Sequence, residues 1–152
     1  MSTKERIEHG IRALITGGVL RNHEVAPRLG LHVIDLQALN LVAMAGGRMT
    51  PSALADAMRL PRSSVTRLVG RLESAGYVHR RRSDVDRRSL GVEVDRERLA
   101  VVTDQYRQQS ERVDRALAGC TPDEVETIAR FLDRLTSRGP DSDAHQRDIS
   151  PR

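Results

Sequence analysis

"TPSALADAMRLPRSSVTRLVGRLESAGYVHRRRSDVDRRSLGVEV", Thr50 to Val94, decides how this chain folds. Thr50-Pro51 is a strong helix start, a hydroxyl N-cap followed by proline at the first helical position. Leu54, Ala57 and Met58 mark the apolar side of a short helix from about Pro51 to Met58. Leu60-Pro61 makes a tight turn. A second helix runs to about Ala75, with Gly76 just past its end, where a left-handed residue is favoured. Val65, Leu68, Val69 and Leu72 form its buried stripe; Arg62, Ser63, Thr66, Arg67, Gly70 and Arg71 lie opposite. The period then changes to two. Val78, Arg80 and Arg82 alternate with His79 and Arg81, and Leu90, Val92 and Val94 with Gly91 and Glu93. Ser83 to Arg88 joins the two strands as a long, basic loop.

Short helix, tight turn, polar-faced helix and basic hairpin follow one another in the order of a DNA reader. An α-helix fits the major groove, where an exposed polar face meets base edges. A helix packed across it sets its angle, and a hairpin beside it reaches the flanking backbone or the minor groove. The charge is placed accordingly. Arg59 to Arg88 holds nine arginines (59, 62, 67, 71, 80, 81, 82, 87 and 88) against Glu73, Asp84 and Asp86. Nine minus three is +6, whereas the whole chain carries +4, so the remainder is −2. Lys4 is the only lysine. A GC-rich genome accounts for that arginine bias, but not for its concentration in one segment, which is the footprint of phosphate binding.

Working outward, the N-terminal segment from about Lys4 to Arg28 places Ile7, Ile11, Leu14 and Ile15 on one helical stripe. Gly17-Gly18 and Pro27 are expected to weaken or bend its later part. Gly30 precedes a second helix, with His32 at its N-cap, Asp35 near N3 in a capping arrangement, and Leu36, Leu39, Val42 and Ala43 at helical spacing. Gly46-Gly47 ends it, and Arg48-Met49-Thr50 is a minimal strand. After the hairpin, Leu99, Val102, Tyr106, Val113 and Leu117 mark one long helix with a polar middle. Thr121-Pro122-Asp123-Glu124 is a capping box, and Val125, Ile128, Ala129, Leu132 and Leu135 line the helix that follows. From about Arg138 the composition is that of a disordered tail. Tyr77, Tyr106 and Phe131 are the only aromatics. A small aliphatic core spread over several helices is of the kind that often needs a partner chain to complete it.

The stretch from Thr50 to Val94 resembles the MarR family of bacterial regulators. "SSVTRLVGRLESAGYV" (Ser63 to Val78) is similar to that family's recognition helix and first wing strand. "SDVDRR" (Ser83 to Arg88) is close to its acidic-arginine wing motif, and "ALAGCTPDEVETIARFLDRL" (Ala116 to Leu135) resembles its final helices. The likeness covers about Leu31 to Leu135. It implies a mainly α fold with a small β-hairpin wing: a winged helix-turn-helix with N- and C-terminal dimerisation helices. The divisions would be 1–30 for dimerisation, 31–95 for DNA binding, 96–137 for dimerisation again, and 138–152 for the tail. Two winged helices of a homodimer would enter successive major grooves of a pseudopalindromic operator, about 34–36 Å apart. Carried over by position, Ser63, Ser64, Thr66, Arg67 and Arg71 would face the major groove beside Arg62. Arg82, Arg87 and Arg88 would serve the wing, and Asp86 would orient a wing arginine. The chain departs from the family in three places. Pro61 stands where a hydroxyl N-cap is common, Ser83 replaces the first acid of the wing motif, and "DRERLAVV" replaces the usual Thr and Gly after the second wing strand.

The resemblance further implies a repressor that a small phenolic or other aromatic effector releases from DNA. The sequence itself singles out no ligand-binding residue, and a DNA-binding architectural or constitutive regulator without a ligand is the competing reading. Cys120 is the single cysteine, so no intramolecular disulfide is expected, and a redox role for it stays open. The five histidines lack metal-ligand spacing, and no cofactor is expected. There is no Ser-His-Asp arrangement, no Gly-rich phosphate loop after a strand and no paired carboxylates in an apolar setting, so the reading is not an enzyme. No apolar run reaches membrane-spanning length, and "MSTKERIEHG" lacks a signal-peptide core, so a soluble, cytoplasmic protein is expected.

Overall fold

The computed structural model describes residues 1–82 and 90–137, in two compact units, Met1–Tyr106 and the chain from Arg107 onward. In the first unit α1 (Thr3–Arg28), α2 (Val33–Met44), β1 (Arg48–Met49), α3 (Pro51–Met58), α4 (Arg62–Ser74), β2 (Val78–Arg82), β3 (Leu90–Val94) and α5 (Arg96–Asp104) follow in order. The sheet is antiparallel with order β1-β3-β2. Arg48 pairs with Glu93 and Met49 with Val92; on the other edge Val78 pairs with Val94 and Arg82 with Leu90. The second unit holds α6 (Arg107–Leu117) and α7 (Pro122–Thr136). The tail, 138–152, and the wing loop lie outside the described residues.

A capping box opens α1: the Ser2 hydroxyl accepts from the Glu5 amide at 3.2 Å, and the Glu5 carboxylate from the Ser2 amide at 2.6 Å. The helix then runs unbroken through Gly17-Gly18 and includes Pro27, against the expectation of a weakened second half. Its end is held by tertiary packing, because Val25 and Ala26 are fully buried. Burial outweighs a propensity deficit of about 1 kcal/mol per glycine.

His32 caps α2 without a side-chain hydrogen bond, and the expected capping arrangement with Asp35 does not form. Asp35 turns inward instead. Gly46 and Gly47 both adopt positive φ, +83° and +87°, which non-glycine residues rarely tolerate. A Cβ on Gly47 would also lie 3.2 Å from the Val94 side chain, where the Val94 amide donates to the Gly47 carbonyl at 2.9 Å. The double glycine therefore both ends α2 and seats β1 against β3.

The core lies between α2, α3, α4 and the inner face of the sheet. Leu36, Leu39, Val42, Leu54, Val65, Leu68, Val69, Leu72, Val78, Val92 and Val94 are buried there. The Tyr77 hydroxyl donates to the Leu29 carbonyl at 3.0 Å, fastening the chain after α4 to the end of α1. Asp95, in the unusual turn after β3, caps α5 by accepting from the Arg98 amide at 2.9 Å. The long helix expected from Leu99 to Leu117 is broken at Gln105-Tyr106. The polar run from Arg107 offers no apolar face to continue the stripe that ends at buried Val102. The break is pinned on α1, where the Tyr106 hydroxyl donates to Asn22 and Arg21 donates to the Gln105 carbonyl, each at 2.6 Å.

Candidate nucleic-acid interface

Thr50 starts α3 as its sequence requires, its hydroxyl accepting from the Ala53 amide at 3.1 Å. Three residues, Arg59-Leu60-Pro61, turn the chain into α4, and Arg59 takes a left-handed conformation with φ +54°. As expected from Pro61, α4 begins without a side-chain cap. Val65, Leu68, Val69 and Leu72 are buried beneath α4, so its outward face is fixed. Arg62, Ser63, Thr66 and Arg67 are exposed on that face, and Ser64 is half-buried at its edge. The Thr66 hydroxyl donates to the Arg62 carbonyl at 2.9 Å. Arg62 and Arg67 make no ion pair or hydrogen bond through their guanidinium groups with any described residue.

Arg71 is different. Its Nε donates to one Asp35 carboxylate oxygen at 2.9 Å and its Nη2 to the other at 2.5 Å. Asp35 is 1% exposed, whereas the Arg71 side chain is 45% exposed. This two-pronged pair joins α2 to α4, and its hydrogen bonds to the carboxylate hold the Arg71 guanidinium's pKa above its ordinary value. Sequence reasoning missed Asp35 as a partner, although a signal existed. Asp35 shares a helical face with Leu39 and Val42, at i+4 and i+7, and a carboxylate on a buried face needs a cation.

The wing root is tied to α4 by Arg80, which donates to Glu73 at 3.1 Å. Arg81 lies 3.9 Å from Glu93, and His79 is 3.1 Å from Asp95. The Asp95 carboxyl is held below the usual carboxylate range, first by the Arg98 amide and then by His79. Arg82 ends β2 opposite Leu90. Arg87, Arg88 and Asp86 lie outside the described residues. A helix whose first two turns present a cationic outer face, with Glu73 near its end paired to Arg80, is joined by three-residue connections to its support and to the wing strand β2.

The "MarR family" model matches residues 29–89. A relative from Bacillus subtilis strain 168, the uncharacterized HTH-type transcriptional regulator YcgE, is 35% identical over 121 residues, spanning 80% of this chain and 78% of the relative. The chain belongs to the MarR family. It is a transcription regulator with a DNA-binding winged helix. Solved structures share the MarR fold at lower identity. Transcriptional regulator Tm0710 of Thermotoga maritima matches at TM-score 0.62 and 21% identity over 86% of this chain and 92% of that one. Apo MarR of E. coli matches at 0.56 and 19%, over 90% and 98%. FabT of Streptococcus pneumoniae, solved in complex with DNA, matches at 0.58 and 19%, over 87% and 94%.

Two further features of this MarR chain lie away from α4. A groove of about 420 Å³ opens between α1, α2 and α3, lined by Asn22, Ile34, Gln37, Asn40, Leu41 and Met58 among others, none of them charged. In the second unit the Cys120 thiol is half-buried and points to the Ala116 carbonyl at 3.7 Å. No helix among the described residues is long and apolar enough to cross a membrane.

Proposed function

We propose that this chain is a cytoplasmic homodimeric repressor. It reads a pseudopalindromic operator through α4 and leaves DNA when a small phenolic effector binds. The carrying observation is the outward face of α4. Arg62, Ser63, Thr66 and Arg67 stand exposed there, the two arginines have no counter-ion among the described residues, and the helix is held by four buried aliphatic residues. Ser64 adds a half-buried hydroxyl. Arg71 is bound to Asp35 and serves first to position the helix, its exposed edge remaining free for DNA. Arg82 and the wing residues Arg87 and Arg88, with Asp86 orienting them, would contact the flanking backbone or minor groove.

The dimer is supported by apolar surface left bare on each unit. Leu14 and Ile15 of α1 are 66% and 62% exposed, and Leu132 and Leu135 of α7 are 46% and 52% exposed. Such stripes belong in an interface. Residues 1–30 and 96–137 would supply it, and 31–95 would bind DNA. The uncharged groove favours a phenol over an aromatic carboxylate, because Asn22, Gln37 and Asn40 can pair a hydroxyl but cannot neutralise an anion.

Selection from random duplexes with the purified protein is expected to return a palindromic motif with half-sites one helical turn apart. A direct repeat, or no enrichment, would overturn the dimeric reading. Gel shifts of the selected operator are then expected to be reversed by phenols that also raise the melting temperature. A broad phenol series that neither stabilises nor releases would leave a constitutive DNA binder.

A further inference from the structure

Gly91 is where the sheet admits another side chain most closely. A Cβ built there would lie 2.8 Å from Arg48 Nε and 3.4 Å from its Nη2, so the guanidinium of Arg48 rests directly on the glycine. Arg48 starts on β1 opposite Glu93, and Gly91 is two residues further along β3 on the same face. The arginine therefore runs diagonally along the strand, from the root of the wing toward its tip. Arg81 is the cross-strand partner of Gly91, and His79 that of Glu93, so all five residues share the sheet face turned away from the buried Val78, Val92 and Val94.

The charges on that face do not balance. Among the described residues Glu93 is its single carboxylate and lies 3.9 Å from Arg81, while His79 turns to Asp95. The Arg48 guanidinium has no ion pair or hydrogen bond with any described residue. Two guanidinium groups are thus gathered beside one distant carboxylate, and one of them is fitted into a seat that only glycine leaves open. An arrangement of this kind is stable beside an anion held at the same place, and a guanidinium fork matches a phosphate diester.

We propose that Arg48, seated on Gly91 beside Arg81, grips a backbone phosphate of the bound duplex, a contact that is independent of base sequence and outside the recognition helix. It rests on the DNA-binding reading given above. The full-length protein is to be titrated against its selected operator and a random duplex by fluorescence anisotropy over a salt series. Arg48→Ala is expected to weaken both duplexes alike, about five-fold near 0.15 M salt, and to shallow the salt slope by about 0.9. Gly91→Ala displaces the guanidinium without deleting its charge and is expected to weaken both duplexes alike with a slope nearer that of wild type, the double variant being no worse than Arg48→Ala. Arg48→Lys is expected to restore the slope, since the charge returns. A wild type that binds no duplex overturns DNA binding and this contact together. If wild type binds and Arg48→Ala keeps its affinity and slope, the contact alone is refuted. Additive losses in the double variant also refute the shared seat.

Discussion

Removing either partner of the Asp35–Arg71 pair should produce unequal damage, because the two ends are unequally buried. Arg71→Ala strands a carboxylate that is 1% exposed. Breaking a buried pair this way typically costs about 3–5 kcal/mol, most of it from the uncompensated charge. Asp35→Ala frees an arginine whose side chain is 45% exposed and can rehydrate. Two charge-assisted hydrogen bonds are lost, but solvent screening at a half-exposed group reduces the net cost to about 1–2 kcal/mol. Urea unfolding at fixed protomer concentration should therefore show Arg71→Ala as the weaker protein by roughly 2 kcal/mol. The double variant should recover part of that loss, since no ion is then stranded. DNA binding separates positioning from charge. Asp35→Ala makes the protein more basic by one unit, so a purely electrostatic account expects tighter binding to every duplex. If the pair sets the pose of α4, operator affinity falls while random-duplex affinity holds. An Arg71→Ala variant no less stable than Asp35→Ala, or an Asp35→Ala variant with wild-type operator affinity, would refute the reasoning.

Arg67→Ala should leave stability unchanged and cost about 1–3 kcal/mol of operator binding with relaxed base preference, measured by selection with the variant. Arg59→Gly relieves a left-handed non-glycine residue and should stabilise the fold by about 0.5–1 kcal/mol in urea unfolding, while a lower affinity for all DNA would show that Arg59 is kept for its charge. Thr121→Ala removes the α7 cap and should cost about 1 kcal/mol of stability in the same assay. Glu124, across that capping box, has its carboxyl lowered by the Thr121 amide and then its hydroxyl. Its contribution is present above the usual carboxylate range and disappears as pH falls through its lowered value, so Glu124→Ala should start with less α7 helicity at neutral pH and show a smaller acid-induced loss than wild type.

The elements of the DNA-binding part were legible because each has a local cause. Thr50-Pro51, Gly46-Gly47, Gly76 and the change of period at Val78 act within a few residues, and the structure places boundaries there. Misreadings arose where distant burial outweighs local preference. Gly17-Gly18 and Pro27 weaken an isolated helix, but Val25 and Ala26 are fixed in the core. Local spacing predicts one long helix through the polar run after Asp104. The helix breaks there instead, because Tyr106 and Gln105 are bonded to Asn22 and Arg21 some 84 positions earlier, which no local window contains.

The recognition face shows the same limit in a sharper form. Periodicity separates the buried side of α4 from its outer side, and it did so correctly at Val65, Leu68, Val69 and Leu72. It cannot separate Arg67 from Arg71, which lie one turn apart on the same polar face. The difference between them is set by α2, where Asp35 occupies a position otherwise given to aliphatic residues. An arginine count therefore overstates the cations free for phosphate: Arg71 and Arg80 are already paired with Asp35 and Glu73. It also missed Arg48, outside the basic segment by sequence yet brought onto the wing sheet by a two-residue strand. The sign of the charge on this face follows from composition, but its placement follows from which carboxylates the fold turns inward.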